Sequence, residues 1–240
     1  MSSQAVLYII QMGAPPESLR SVYGDQWEWF QSALAKTPTS FPLDIRITRP
    51  DLDEPLPEPG SFDVAVISGS WCMVTDRLDW SERTAEWIRQ VIVQHQPLLG
   101  VCYGHQLMAH ALGGVVDYHP DGPEIGSISI TLNPAGQADP FFTGFPQQFR
   151  AHLTHEQSVL QVPSGATVLG SSGHDPNQII RYTKNALSVQ FHPEFFEALM
   201  RHIIVGKKKL PPEQKAFLLD AVVDTAWSKK ILQQFVGLFI

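Results

Sequence analysis

The segment PLLGVCYGHQLMAHALGG, residues 97–114, leaves the chain few folds to choose from. An apolar run ends at Cys102, and helix-patterned sequence begins directly after it. Leu107 and Ala111 share one face of that helix, Met108 and Leu112 the adjacent face, and Gly113 suits its C-terminal end. Cys102 therefore stands at a strand-to-helix turn. Gly100 and Gly104 flank it, as expected where the backbone bends too sharply for neighbouring Cβ atoms. A buried strand feeding straight into a helix is a building unit of α/β sheets.

The same alternation recurs along the chain. Apolar, β-branched runs at 5–10, 43–48, 63–68 and 97–102 read as strands. One helix is expected within 17–34, entered through Pro15 and Pro16, and another over 81–95 with Ser81 as N-cap. This pattern predicts a parallel sheet covered on both faces. Shorter strands at 127–132, 167–171, 178–183 and 186–191, with TKNA at 183–186 as a hairpin turn, predict an antiparallel portion beside it. Helical patterning returns from Pro193 to Ile240, with C-terminal helices at about 212–236. The Pro- and acid-rich stretch 49–60 reads as a surface connection, because strand-like sequence resumes at once. The expectation is one α/β domain over 1–240 built as a three-layer, open, mixed and mainly parallel sheet. Its core would span about 5–195, with a helical extension over about 196–240. Trp27 and Trp29 are expected to pack a helix onto the sheet.

Charge and cysteine usage restrict the partners. A net charge of −7 argues against nucleic acid or an anionic membrane as the main partner. The one basic cluster, Lys207-Lys208-Lys209, reads as a solvated turn before Pro211-Pro212. Two cysteines, Cys72 and Cys102, make no disulfide framework, so a reducing cytoplasm is expected. The N-terminus has no basic signal-peptide region, and no apolar run approaches the roughly 18 residues of a membrane span.

The thiol at the turn suggests chemistry. A side chain there is pushed out at the carboxyl edge of the sheet, where open α/β folds bind ligands. The following helix N-terminus offers unpaired N–H groups and partial positive charge, which favour the nucleophilic thiolate and can hold an oxyanion. A thiol nucleophile needs a base that can also protonate a leaving amine, and a third group to fix the tautomer of that base. The sequence SVQFHPEFF supplies both directly after a strand: His192 as the base and Glu194 as its orienter, with Pro193 restricting the chain between them. His152 and His155, and His105 and His110, lack the further ligands of a metal site, so no metal is expected. No Walker or Gly-x-Gly-x-x-Gly sequence appears, and no cofactor is expected. Cys72 reads as a spectator thiol.

GVCYGHQ (100–106) and VQFHPEF (189–195), in that order, resemble the triad of class I glutamine amidotransferases. VISGSWCMVTD (66–76) is similar to the family's oxyanion loop, and HLTHEQSV (152–159) to the Ser-His-x-Asp-x-Val stretch lining its glutamine pocket. The resemblance spans roughly 5–195 and is closest to stand-alone, GMP-synthase-like members, which also carry a helical tail. It implies a flavodoxin-like sheet and a glutamine-hydrolysing site. By that likeness Cys102 is the nucleophile, His192 the general base and acid, and Glu194 the orienter. Backbone N–H groups of Ser70 and Tyr103 would form the oxyanion hole, with Gly69 beside it. Gln106 would contact bound glutamine, and Thr154, His155, Glu156 and Gln157 would line the pocket for its α-amino and α-carboxylate groups. Gly69-Ser70-Trp71 replaces the usual Gly-Gly-Pro, and Glu156 and Gln157 sit where synthetase-linked members often carry small or apolar residues. Three activities fit: an amidotransferase that feeds ammonia to a separate synthetase, a self-contained hydrolase of glutamine or γ-glutamyl peptides, or a non-catalytic binding protein on the same fold.

Overall fold

A computed structural model describes residues 4–35 and 37–240. Strand β1 (Ala5–Ile10) leads to helices α1 (Glu17–Tyr23) and α2 (Gln26–Leu34), then β2 (Leu43–Thr48), β3 (Val64–Ile67), α3 (Asp79–Val93), β4 (Leu98–Val101) and α4 (Tyr103–Ala111). The single helix expected over 17–34 is two. Gly24 takes φ 77°, and Asp25 restarts the chain as α2 through a capping box with Glu28. Helix α3 also begins earlier than expected, with Leu78 and not Ser81 as N-cap. Asp79 and Glu82 in its first turn complement the helix dipole without a side-chain cap. Ser81 is buried instead, its hydroxyl 2.7 Å from that of Tyr103. Gly113 follows α4 at φ 92°, as the C-terminal glycine signal predicts.

The second half runs β5 (Val115–Tyr118), β6 (Glu124–Leu132), α5 (Pro134–Ala138), β7 (Gln148–His155), β8 (Gln157–Gln161), β9 (Thr167–Ser171), β10 (Ile179–Thr183) and β11 (Ala186–Val189). Helices α6 (Glu197–Gly206), α7 (Pro212–Asp220) and α8 (Ala226–Gly237) close the chain. The turn between β10 and β11 falls where TKNA predicts it. Strand β6 starts before the expected residue 127, and β7 and β8 fall where no strand was expected, carrying the 152–159 stretch between them.

Nine strands form one sheet in the order β2-β1-β3-β4-β11-β10-β9-β6-β7. The first five pair in parallel and the rest antiparallel, so that only β10 and β6 oppose the common direction. Strands β3 and β4 are buried at every position, the signature of a parallel core covered on both sides. Alternate residues serve the two faces. Leu7, Ile9, Val66 and Val101 pack with α2 and α8, whereas Ile10, Ala65, Ile67 and Leu98 pack with α3 and α4. This is the expected layered α/β arrangement. Trp27 packs on the face shared by α2 and α8, whereas Trp29 lies in a second cluster with Leu19 of α1, Leu199 of α6 and Phe195, against which Ile125 of β6 packs. No helix among the described residues is long and apolar enough to cross a membrane.

Candidate active site

Cys102 joins β4 to α4 with φ 51° and ψ −98°, a conformation that costs about 1–3 kcal/mol for a residue with a side chain. Its N–H donates to the carbonyl of Val189 at 2.9 Å, which ties the turn to the end of β11. The flanking glycines relieve crowding rather than supply positive φ. A Cβ on Gly104 would lie 2.5 Å from the carbonyl oxygen of Ile67, and one on Gly100 2.7 Å from that of Gly104. Strand β3, strand β4 and helix α4 therefore approach so closely that only glycine fits between them.

His192 follows β11 on a loop whose N–H donates to the carbonyl of His152 at 2.9 Å. Its Nδ1 lies 2.7 Å from Oε1 of Glu194. The ring stacks on Phe195, centroids 3.9 Å apart, and Trp29 braces Phe195 edge-on from α2. Cys102 and His192 line the same pocket. Burial alone would disfavour the charged ring. The Glu194 carboxylate and the Cys102 sulfur outweigh it and push His192 up to about 10. Gly69 completes the enclosure, since a Cβ there would fall 2.7 Å from Cε1 of His192 and 3.6 Å from Cβ of Cys102.

The loop after β3 is held by its own serines. The Ser68 hydroxyl accepts from Met12 N–H at 3.0 Å and donates to the Gly69 carbonyl at 2.8 Å, while Ser70 Oγ accepts from Cys72 N–H at 3.1 Å. Backbone N–H groups of Ser70 and Tyr103 find no acceptor among the described residues, and both residues line the pocket that holds Cys102 and His192. The Tyr103 ring is buried elsewhere, under Trp80, so this residue presents its backbone to the pocket.

Gln106, Thr154, His155, Glu156 and Gln157 line the same pocket, but most are committed to the protein. Both donors of the Gln106 amide are used, on the carbonyl of Gln157 at 2.7 Å and on Oε1 of Gln190 at 3.0 Å. His155 bridges the Gln157 carbonyl and Glu124, at 2.9 and 3.0 Å. The Gln157 side chain donates to Thr75 at 2.6 Å and so clamps the segment after β3. These three position the walls.

Several lining residues escape a sequence reading. Cys72, expected as a spectator, lines the pocket with Trp71 and Met73. Gln26 at the start of α2 is buried there, and its Oε1 has no partner among the described residues. Ile203 of α6 and Lys207, directly after that helix, also reach the pocket, so Lys207 is not part of a merely solvated turn. The lysine run was the only signal for it. No group of three or more metal-ligating side chains occurs among the described residues.

The glutamine amidotransferase class-I family model matches residues 29–208. The chain is 32% identical to a glutamine-hydrolyzing GMP synthase subunit of Saccharolobus solfataricus, over 72% of this chain and 86% of that one. It is 26% identical to gamma-glutamyl peptidase 4 of Arabidopsis thaliana, over 91% of this chain and 84% of that one. A solved glutamine amido transferase from Methylobacillus flagellatus superposes with a TM-score of 0.75 at 23% identity, covering 97% of this chain and 93% of that one, a likeness of fold. The chain belongs to the class I glutamine amidotransferase family.

Proposed function

We propose that this protein hydrolyses the γ-amide of glutamine, or of a γ-glutamyl compound, through Cys102, His192 and Glu194. One observation carries the reading. Cys102 sits at a strained strand-to-helix turn and shares one pocket with an imidazole whose Nδ1 lies 2.7 Å from a buried carboxylate. That order of groups is what a cysteine nucleophile needs.

The thiolate attacks the side-chain carbonyl carbon, and the negative oxygen forms against the N–H groups of Ser70 and Tyr103. Each such donor is worth about 2.7–4 kcal/mol of barrier lowering. His192 gives its proton to the departing nitrogen, and the C–N bond breaks. Ammonia, or an amine, leaves a γ-glutamyl thioester on Cys102. His192 then takes a proton from water, the resulting hydroxide cleaves the thioester, and glutamate departs with the sulfur restored. Glu194 holds the ring and favours its charged form throughout.

The likeness to a glutamine-hydrolyzing synthase subunit supports a donor role toward a separate synthetase. A self-contained hydrolase of γ-glutamyl peptides is the second reading. It is favoured by the match to a gamma-glutamyl peptidase over 91% of the chain. The test is ammonia or amine release from glutamine and from γ-glutamyl dipeptides by the protein alone. Release that is lost in Cys102→Ser with the fold intact supports the proposal, and release retained in that variant refutes it. Turnover of dipeptides alone selects the second reading.

A further inference from the structure

Strand β2 is an edge of the nine-stranded sheet, with β1 as its neighbour on one side. The N–H groups of Ala5 and Gln11 donate to the carbonyls of Pro42 and Thr48, at 3.1 and 3.0 Å, and the pairing between them runs without a break in register. The backbone of Asp44, Arg46 and Thr48 therefore turns toward β1, and that of Leu43, Ile45 and Ile47 turns away. No hydrogen bond to these outward N–H and C=O groups occurs among the described residues. The opposite edge is less bare. There the His152 carbonyl of β7 accepts from His192 N–H, and α8 packs beside the strand.

An open edge is a template for another strand, and proteins blunt such edges with lysine, proline, a bulge or a very short strand. Strand β2 carries none of these over Leu43–Thr48. Leu43 and Ile45 pack on the face of α2 and α8, and Ile47, on the same face by alternation, stays 37% exposed. Asp44 and Arg46 share the other face, with Nε 2.9 Å from Oδ2 and both side chains partly exposed. The order Leu-Asp-Ile-Arg-Ile is complementary to its own reverse. With two copies antiparallel and Ile45 opposite Ile45, Leu43 meets Ile47 and Asp44 meets Arg46 on both sides of a two-fold axis. The outward backbone groups then pair with one another. The charged residues fall at the non-hydrogen-bonded positions, where facing side chains approach most closely. The next register in one direction sets Asp44 against Asp44, and in the other Arg46 against Arg46, so the charges select one alignment.

We propose that the β2 edge is a homodimer interface, on which a second copy of this chain adds its own β2 antiparallel and continues the sheet across a two-fold axis. Main-chain hydrogen bonds hold the strands together, and the crossed Asp44–Arg46 pairs fix register and partner. Arg46 exchanges the carboxylate of its own strand for that of the facing strand, so neither charge loses its partner. Strands β1 and β3 separate β2 from β4, so the pocket of Cys102 stays open in the dimer. The interface is independent of the reaction proposed above.

The experiment is the molar mass of the full chain in solution, by sedimentation equilibrium from about 1 to 100 µM, the span of an ordinary specific affinity. The wild type should reach twice the chain mass of 26.7 kDa. Asp44→Arg and Arg46→Asp each set like charges opposite one another and should weaken dimerisation at least about tenfold. Mixed in equal amounts, the two variants should dimerise again, because every positive side chain at the interface then faces a negative one. Circular dichroism checks that each variant is folded. Should either fail to fold, Ile47→Lys, an edge charge at an exposed position, should by itself bring the mass to that of one chain, and an unshifted mass rejects the interface. A wild type that stays at one chain mass throughout overturns the inference, as an edge reserved for a strand of another protein would give. Dimers that survive unchanged in the folded charge variants overturn it too, and so does an equal mixture of those variants that stays monomeric.

Discussion

Cys102 holds a backbone conformation that other side chains would gain nothing from adopting, and its strain is borne by the packing of β3, β4 and α4 around it. The His192 ring is equally confined, between Phe195 and the Gly69 backbone. Gly69→Ala would place a methyl carbon 2.7 Å from Cε1 of His192, and the ring, being buried and stacked, has little room to yield. Gly69→Ala should therefore lower kcat by about a hundredfold, since a misplacement near 1 Å costs that much. The melting temperature should change little. Steady-state kinetics beside a thermal melt checks this, and undiminished kcat would mean that the ring position is not critical. Cys102, His192 and Glu194 were legible in the sequence because each lies within a few residues of a strand end that patterning locates. Gln26 and Lys207 were not, because only the packing of α2 and α6 against the sheet edge brings them to the pocket.

The elements nearest the carboxyl edge of the sheet set the geometry. Strands β3, β4, β11 and β7 point the same way, so the residues that follow Ile67, Val101 and Val189, together with the end of β7 at His155, gather at one edge. Apolar periodicity revealed three of these four strands. It missed β7, whose core-facing positions include His152 and His155. Buried imidazoles, His152 bonded through Nδ1 to Ser127 and His155 to Glu124 and the Gln157 carbonyl, occupy positions that a pattern search assigns to aliphatic residues. The break between α1 and α2 was hidden for a different reason. Gly24 and Asp25 form a stop and a start that overlap, inside a stretch apolar enough to read as one helix.

For the whole molecule, buried histidines set the response of stability to pH. His192 is raised to about 10 from an ordinary 6.5, so its contribution is complete below about pH 6.5 and is lost as pH rises through 10. Burial lowers His105 to about 3 and His152 to about 4. Their contributions are complete above about pH 6.5 and are lost as pH falls through 4 and 3. The melting temperature should peak near pH 6.5 and fall on both sides, with a shallower acid limb in His152→Asn; a profile flat from pH 6.5 to 9 would contradict the assignment of His192. The layered fold itself was readable because alternation of strands and helices leaves few topologies, whereas the lengths and breaks of the closing helices depend on what they cover. The central claim concerns one sulfur. Intact-protein and peptide mass spectrometry after exposure to a glutamine-mimicking electrophile tests it most directly. The account predicts a single adduct on Cys102 that glutamine protects against and that Cys102→Ser abolishes, whereas modification of Cys72 with Cys102 left free would contradict it.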